Sequence, residues 1–282
     1  MHTEHPCLQC MLDQGQRTAK RLLGEGPTYQ EVVRSLRELV DQQPPEGPPP
    51  AFYKQVYGIV SSAAGEPDPF RQIKRQNTLA ALNIYPYLKE LVAGSADPLG
   101  TAVRIAIAGN IIDHGINRPF DAEQELERTL SVEPGVMDYA KFKKAVESAN
   151  HILYLGDNAG ETVYDRVLIE TIDKPTTFTV RAKPIINDAT IEDAVQAGLA
   201  HVATLISTGS GIPGILLEET STEFRDVFNT ADVVISKGMG NFETLSDVQR
   251  PIFFLLKAKC DLVADHIGVE VGESVLFASN VS

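Results

Sequence analysis

His151-Ile152-Leu153-Tyr154-Leu155-Gly156-Asp157-Asn158-Ala159-Gly160-Glu161 is the stretch whose reading decides the fold. Ile152 to Leu155 is a short, continuous apolar run, which suits a strand buried on both faces of a parallel sheet. It stops at Gly156 and passes into two oxygen-bearing side chains, Asp157 and Asn158. From Val163 the period changes, and Val163, Tyr164, Val167, Leu168 and Ile172 share one helical face. Strand, polar loop and helix make half of a βαβ unit, and such loops lie on the carboxyl edge where open α/β sheets bind ligands. An Asp-Asn pair there offers hard oxygen ligands to a divalent cation, beside helix-start N–H groups that suit an anion. Taken alone, the same pair is more often a helix N-cap, since Asp and Asn are preferred there.

Downstream the alternation continues. Thr177 to Val180 is a β-branched and aromatic strand whose exit loop ends Pro184-Ile185-Ile186-Asn187-Asp188. A helix marked by Ile191, Ala194 and Val195 stops at Gly198. Thr204 to Thr208 reads as a strand leading into Gly209-Ser210-Gly211-Ile212-Pro213-Gly214, and a capping box from Thr220 to Glu223 opens a helix with Phe224, Val227 and Phe228. Asp232 to Ser236 is a further strand, ending in Lys237-Gly238-Met239-Gly240-Asn241-Phe242-Glu243, and Pro251 to Leu256 is another, ending near Lys257 and Lys259. Strands and helices at this spacing predict an α/β fold, a Rossmann-like, doubly wound, mainly parallel sheet (α/β/α) over residues 149–282.

Residues 1–148 read as a helical N-terminal domain. Cys7-Leu8-Gln9-Cys10 opens it as two semi-buried thiols at a helix start; a metal or redox role is the alternative. Four zinc ligands would have to come from His2, His5, Cys7 and Cys10, with little room for tetrahedral closure. Thr28-Tyr29-Gln30-Glu31 forms a capping box before Val32, Val33, Leu36, Leu39 and Val40. Pro44 to Pro50 predicts an extended loop. Helices follow through Phe52, Val56 and Val60, from Arg71 to Val92, and from Asp97-Pro98 to Gly109. In Ala108-Gly109-Asn110-Ile111-Ile112-Asp113, the polar Asn110 and Asp113 interrupt an apolar stretch. They either close the helix end locally or are delivered to the cleft. Tyr139, Phe142 and Val146 mark one more helix.

Composition narrows the function classes. A chain of 282 residues with 43% hydrophobic and 22% charged residues is that of an ordinary soluble protein with ample core. A balance of 38 acidic against 25 basic residues, net −13, argues against nucleic-acid binding. No apolar run approaches a membrane span, and Met1-His2-Thr3-Glu4-His5 is too polar for a signal peptide. An odd, small complement of three cysteines makes no disulfide framework, so the expected location is cytoplasmic.

The strand ends deliver Asp157 and Asn158, then Asn187 and Asp188, then Ser210, then Lys237, Asn241 and Glu243, all along one edge. Two carboxylates with an amide favour Mg²⁺ or Mn²⁺ over zinc. Lys237 and the glycine-rich backbone would hold an anion brought by that cation, an arrangement suited to phosphate hydrolysis. Residues 209–214 also match G-x-G-x-x-G, but the next strand ends in Ser236-Lys237 rather than an acid, and Pro213 sits inside the turn.

Leu155-Gly-Asp-Asn-Ala-Gly-Glu161, Asn187-Asp-Ala-Thr190 and Ser236-Lys-Gly-Met-Gly-Asn-Phe-Glu243 together resemble the metal-dependent damage-control phosphatases, also called acidic-residue methyltransferase-like proteins. Cys7-Leu-Gln-Cys10, Asp68-Pro69 and Ala108 to Asp113 look like the family's N-terminal signatures, with the Cys-x-x-Cys type pointing to its prokaryotic branch. The eukaryotic-type sugar-phosphate branch has Arg-Thr-x-Lys where this chain has Phe254-Leu255-Leu256-Lys257, keeping only the lysine. The resemblance implies hydrolysis of small phosphorylated metabolites with one divalent cation: Mg²⁺, Mn²⁺, Co²⁺ or Ni²⁺. Carried across, Asp157, Asn158 and Asp188 match the metal ligands. Glu161 lies in the same signature, and Lys237, Gly238, Asn241 and Glu243 in the substrate-phosphate loop. A catalytic set of Asp157, Asn158 and Lys237 follows, with Asn110, Asp113, Glu161, Ser210, Gly238, Asn241 and Glu243 at the substrate. The competing readings are an S-adenosylmethionine-dependent carboxyl methyltransferase, which needs no hard-oxygen metal site, and a non-catalytic metabolite-binding or redox protein.

Overall fold

The computed structural model describes residues 1–42, 47–112, 126–127 and 130–281. One seven-stranded sheet organises it: β1 (Val136–Met137), β2 (Ile152–Leu155), β3 (Thr176–Val180), β4 (Thr204–Ser207), β5 (Val233–Lys237), β6 (Ile252–Lys257) and β7 (Ser274–Ser279), in the order β1-β7-β6-β5-β2-β3-β4. β2 to β6 are mutually parallel, and β7 returns antiparallel to β6 with β1 parallel beside it. The chain winds outward from β2 through β3 to β4, then restarts on the other side with β5 and β6. The switch point therefore lies between β2 and β5, where Leu155 faces Ser236.

Every residue of β2, β3 and β5 is buried, as continuous apolar runs in a covered parallel sheet require. Alternate side chains divide between two layers. Ile152, Tyr154, Phe178 and Ile235 join a core with helices α4 (Arg71–Ala93), α5 (Pro98–Ile112), α6 (Tyr139–Ser148), α7 (Thr162–Ile172) and α8 (Ile191–Gln196). Leu153, Leu155, Val234 and Phe254 pack with α9 (Thr222–Thr230), α10 (Met239–Leu245) and α11 (Asp261–Ile267). Helices α1 (His5–Leu23), α2 (Pro27–Gln42) and α3 (Pro49–Ala64) close a separate core on Met11, Leu36, Phe52 and Val56. The sheet's core thus extends across residue 148, and the change of core falls between α3 and α4.

Several local expectations are corrected. Helix α2 begins at Pro27, so Thr28 lies inside its first turn rather than at its cap; proline suits that first position because its missing N–H has no partner there. For the same reason Pro49 and Pro50 open α3 instead of extending a loop, while residues 44–46 lie outside the described residues. Ser221, not Thr220, caps α9, its side chain accepting from the Phe224 N–H. A capping box does occur at Thr190–Asp193. Strand β7 and helices α10 and α11 had no counterpart in the periodicity. Among the described residues no helix is long and apolar enough to cross a membrane.

Candidate active site

The exits of β2 and β3 are laced together by backbone. Ala189 N–H donates to Asp157 O at 2.8 Å, Ala159 N–H donates to Asn187 O at 2.9 Å, and Asn158 bridges to Asp188. Asp157, Asn158 and Asp188, separated in sequence, are thereby held side by side. Asn158 Nδ2 donates to Asp157 Oδ2 (3.1 Å) and to Glu161 Oε2 (2.9 Å). Both amide hydrogens are spent on acids, so a cation at this residue would have to take Oδ1.

Arg181, one residue past β3, is a central member of this edge that the sequence reading did not single out. It is 2% exposed. Its Nε donates to Asp188 Oδ2 at 2.6 Å, one terminal nitrogen to Gly214 O at 2.9 Å and the other to Asn241 Oδ1 at 3.0 Å, with Asp157 Oδ1 3.7 Å away. A planar guanidinium with fixed donors thus ties the β2, β3 and β5 exits into one unit. In the sequence only its place at a strand end, followed by an acid loop, hints at it.

Lys237 requires a correction. Expected to hold phosphate, it instead turns into the α5/α7 layer and has no exposed side-chain surface. Its ammonium donates to Ala106 O (2.8 Å) and to Asp165 Oδ1 (2.5 Å), and pairs with Glu161 Oε1 (2.6 Å). The reason is strand alternation: Lys237 is the last residue of β5, in phase with Ile235 and Val233 on that face. Burial alone would lower the ammonium's pKa, but Asp165 and Glu161 hold it above the ordinary lysine range. Burial pushes Asp165 up to about 7 against the pull of Lys237, and Tyr154 OH donates to the same oxygen at 2.7 Å. One cation thus serves two buried acids. Through Glu161 it steadies Asn158, so it acts on the edge at one remove.

The β5 exit supplies backbone and amide. Gly238 adopts φ +77°, and a Cβ there would overlap Asp157 Oδ2. Gly240 is equally confined by Pro213 O. Asn241 Nδ2 donates to Lys237 O (2.8 Å) and Gly156 O (3.2 Å) while its oxygen receives Arg181. The other expected substrate residues are placed elsewhere. Ser210 donates to Glu219 Oε2 at 3.2 Å, and that carboxylate is held by Lys54 of α3. Glu243 faces the start of α1 rather than Asp157; its carboxyl acts electrostatically on Cys7 and Cys260. Of Asn110 only the helical backbone is described, and Asp113 lies outside the described residues.

Burial pushes the Asp157 carboxyl well above the usual range, followed by repulsion from Asp188 and Glu161, with Arg181 and Lys259 opposing. Burial likewise raises Asp188, with Arg181 opposing. The edge therefore carries more buried negative charge than its cations neutralise. Among the described residues no three His, Cys, Asp or Glu side chains are grouped to hold a metal ion. The candidate set is instead two carboxylates and an amide, a donor chemistry that fits a hard divalent cation.

The damage-control phosphatase ARMT1-like domain model matches residues 3–275. The chain is 35% identical to a damage-control phosphatase of Pyrococcus horikoshii, over 98% of this chain and 97% of that protein. A damage-control phosphatase of Archaeoglobus fulgidus is 39% identical over 79% of each chain. An uncharacterized protein of Methanocaldococcus jannaschii is 36% identical over 96% of this chain and 93% of its own. The crystal structure of a DUF89 family protein from Pyrococcus horikoshii superposes with a TM-score of 0.90 at 34% identity, covering 98% of this chain and 99% of that one. The chain belongs to the damage-control phosphatase ARMT1-like family.

Proposed function

We propose that this phosphatase hydrolyses small phosphorylated metabolites at the β2/β5 switch point, using one divalent cation, with Mg²⁺ or Mn²⁺ favoured and Co²⁺ or Ni²⁺ as further candidates. The observation that carries the reading is the backbone lacing that holds Asp157, Asn158 and Asp188 together beside Arg181. Asp157, Asn158 and Asp188 would hold the cation, which when bound neutralises phosphate oxygen charge and polarises phosphorus. Arg181 and the backbone N–H groups that follow Gly238, whose own N–H donates to Leu255 O, are the chain's own donors for the remaining anionic charge. Arg181 takes the role expected of Lys237. Lys237 becomes a positioning residue that holds Glu161 against Asn158. The three free thiols accord with a reducing cytoplasm.

Water is the nucleophile in this reading. Both carboxylate oxygens of Asp157 are engaged, one by Asn158 and one within reach of Arg181, and Gly238 crowds the former. Attack by Asp157 itself would have to break these contacts. The test is a phosphatase screen over a metabolite panel with and without each divalent cation, followed by single-turnover reaction quenched with borohydride, which reduces an aspartyl phosphate to homoserine. The expected result is cation-dependent turnover with Asp157 recovered unchanged. Homoserine at position 157 would overturn the water reading, and turnover unaffected by chelation would overturn the metal. Methyl transfer without phosphate release would favour the methyltransferase alternative.

A further inference from the structure

The ladder between β2 and β5 stops just before the candidate metal set. Leu155 paired with Ser236 is its last matched position. Beyond it the two strands part. Gly156 N–H donates to Thr179 O of β3 at 3.1 Å, and Gly238 N–H donates to Leu255 O of β6 at 3.2 Å. Each strand end thus turns its donor to its outer neighbour, and the carbonyls of Gly156 and Lys237 stand at the mouth of the fork between them.

Asn241 closes that fork from α10, and its side chain is wholly buried. Its Nδ2 donates to Lys237 O at 2.8 Å and to Gly156 O at 3.2 Å, while Oδ1 accepts from Arg181 at 3.0 Å. Both hydrogens of the amide are therefore spent on the ends of the two parting strands. The reverse orientation would set an amide oxygen against two carbonyl oxygens and an NH₂ group against a guanidinium, so no pair would form. One side chain in one orientation ties β2, β5 and, through Arg181, the exit of β3.

We propose that Asn241 is a positioning residue, which sets the width of the crevice at the switch point and fixes Arg181 inside it. Asp157 follows Gly156 and Gly238 follows Lys237, so the two carbonyls that Asn241 holds lie directly behind the two walls of the crevice. Those walls already meet at Gly238, where a Cβ would overlap Asp157 Oδ2. A wider fork would part Asp157 from the N–H groups that follow Gly238. The second link runs through Arg181, whose Nε donates to Asp188 Oδ2 at 2.6 Å. Asn241 thus acts on one cation ligand through the backbone and on another through a guanidinium. The direct substrate contact expected of it from the sequence becomes an indirect one.

This role rests on the phosphatase reading of the same edge, and a double-mutant cycle read with Mn²⁺ and p-nitrophenyl phosphate tests it. Asn241→Ala should lower kcat/KM by about 10–100-fold, as losing a partner behind a metal ligand does. Arg181→Lys, which cannot span Asp188, Gly214 and Asn241 together, should lower it as well. The combined loss should fall short of the product of the two by at least about fivefold, because the link through Arg181 is already cut. A residue that only supports the fold would give losses that multiply. Circular dichroism of each variant checks folding. The wild type tests the tie without any substitution: both side-chain amide protons of Asn241 should exchange slowly with solvent in ¹⁵N-resolved spectra. Multiplying losses in folded variants, wild-type turnover in Asn241→Ala, or rapid exchange of either amide proton would overturn the proposal. A wild type inactive with every divalent cation would count against the phosphatase reading itself, and the exchange result would then decide the tie alone.

Discussion

Two lysines are almost wholly buried in this protein, each between two acids, and they do different things. Lys74 on α4 pairs with Asp68 (2.8 Å) and Asp193 (2.7 Å), whose side chains both keep 10% of their surface in water. Those acids have local employment: Asp68 accepts from the Phe70 N–H, and Asp193 takes the N–H and hydroxyl of Thr190. Lys237 pairs with Glu161 and Asp165, neither of which is exposed at all. Glu161 there has a different second partner, Asn158 of the candidate metal set. A buried lysine between two carboxylates is therefore no mark of an active site in itself. The other contacts of its acids decide whether it fastens helices or steadies chemistry.

The largest effect should fall on the edge that Lys237 serves. Asp157→Asn and Asp188→Asn should each abolish turnover while the protein stays folded, because each removes a charge and a ligand together. Steady-state rates across a cation titration, with thermal melts alongside, check this. Wild-type rates at limiting cation would break the assignment. Relief of repulsion between the two acids should leave either variant at least as stable without metal.

Lys237→Met comes next. It strands two buried acids and should cost about 3–5 kcal/mol in urea unfolding, and it should lower turnover through the loss of order at Asn158. Adding Asp165→Asn should recover part of the stability and none of the turnover. Lys74→Met should cost less, about 1.5–3 kcal/mol, because its carboxylates reach water, and turnover per folded molecule should hold. Equal losses of turnover in the two lysine variants would erase the distinction between the two sites.

The smallest effect comes from the inverse arrangement, one acid among several donors. Burial would raise Glu170, but hydrogen bonds from Lys89 (2.6 Å), Tyr85 (2.7 Å) and Arg166 (2.8 Å) hold it below the ordinary glutamate range. A depressed carboxyl stabilises the fold above its unfolded pKa of about 4.3, and that stability drains away as pH falls through the folded value. Glu170→Gln should flatten only that acid limb of a stability–pH curve. A difference confined to neutral pH would contradict the charge arrangement.

The α/β class and the positions of Asp157, Asn158 and Asp188 were legible because parallel strands are short apolar runs and their exits are where polarity breaks in. What stayed hidden has physical reasons. Nothing in sequence separates Arg181 from any other loop cation, and the β2, β3 and β5 exits meet around it only in the fold. Lys237 read as the first residue of the loop after Ser236, but it is the last residue of the strand and still obeys the pleat. Helix α10 passed as a loop because Gly240 weakens helix propensity, while Phe242 and Leu245 hold it by packing.

Gly238 has a genetic consequence. Its backbone is left-handed and its missing side chain is the space that Asp157 occupies, so conformation and volume forbid a replacement independently. A single-base change at that codon that alters the residue installs a side chain with a Cβ, and no second change at a neighbour relieves both objections. In a saturation library selected for phosphatase activity, this position should stay invariant while its flank at Met239 drifts. Lineages that lose it should behave as lineages that have lost the enzyme.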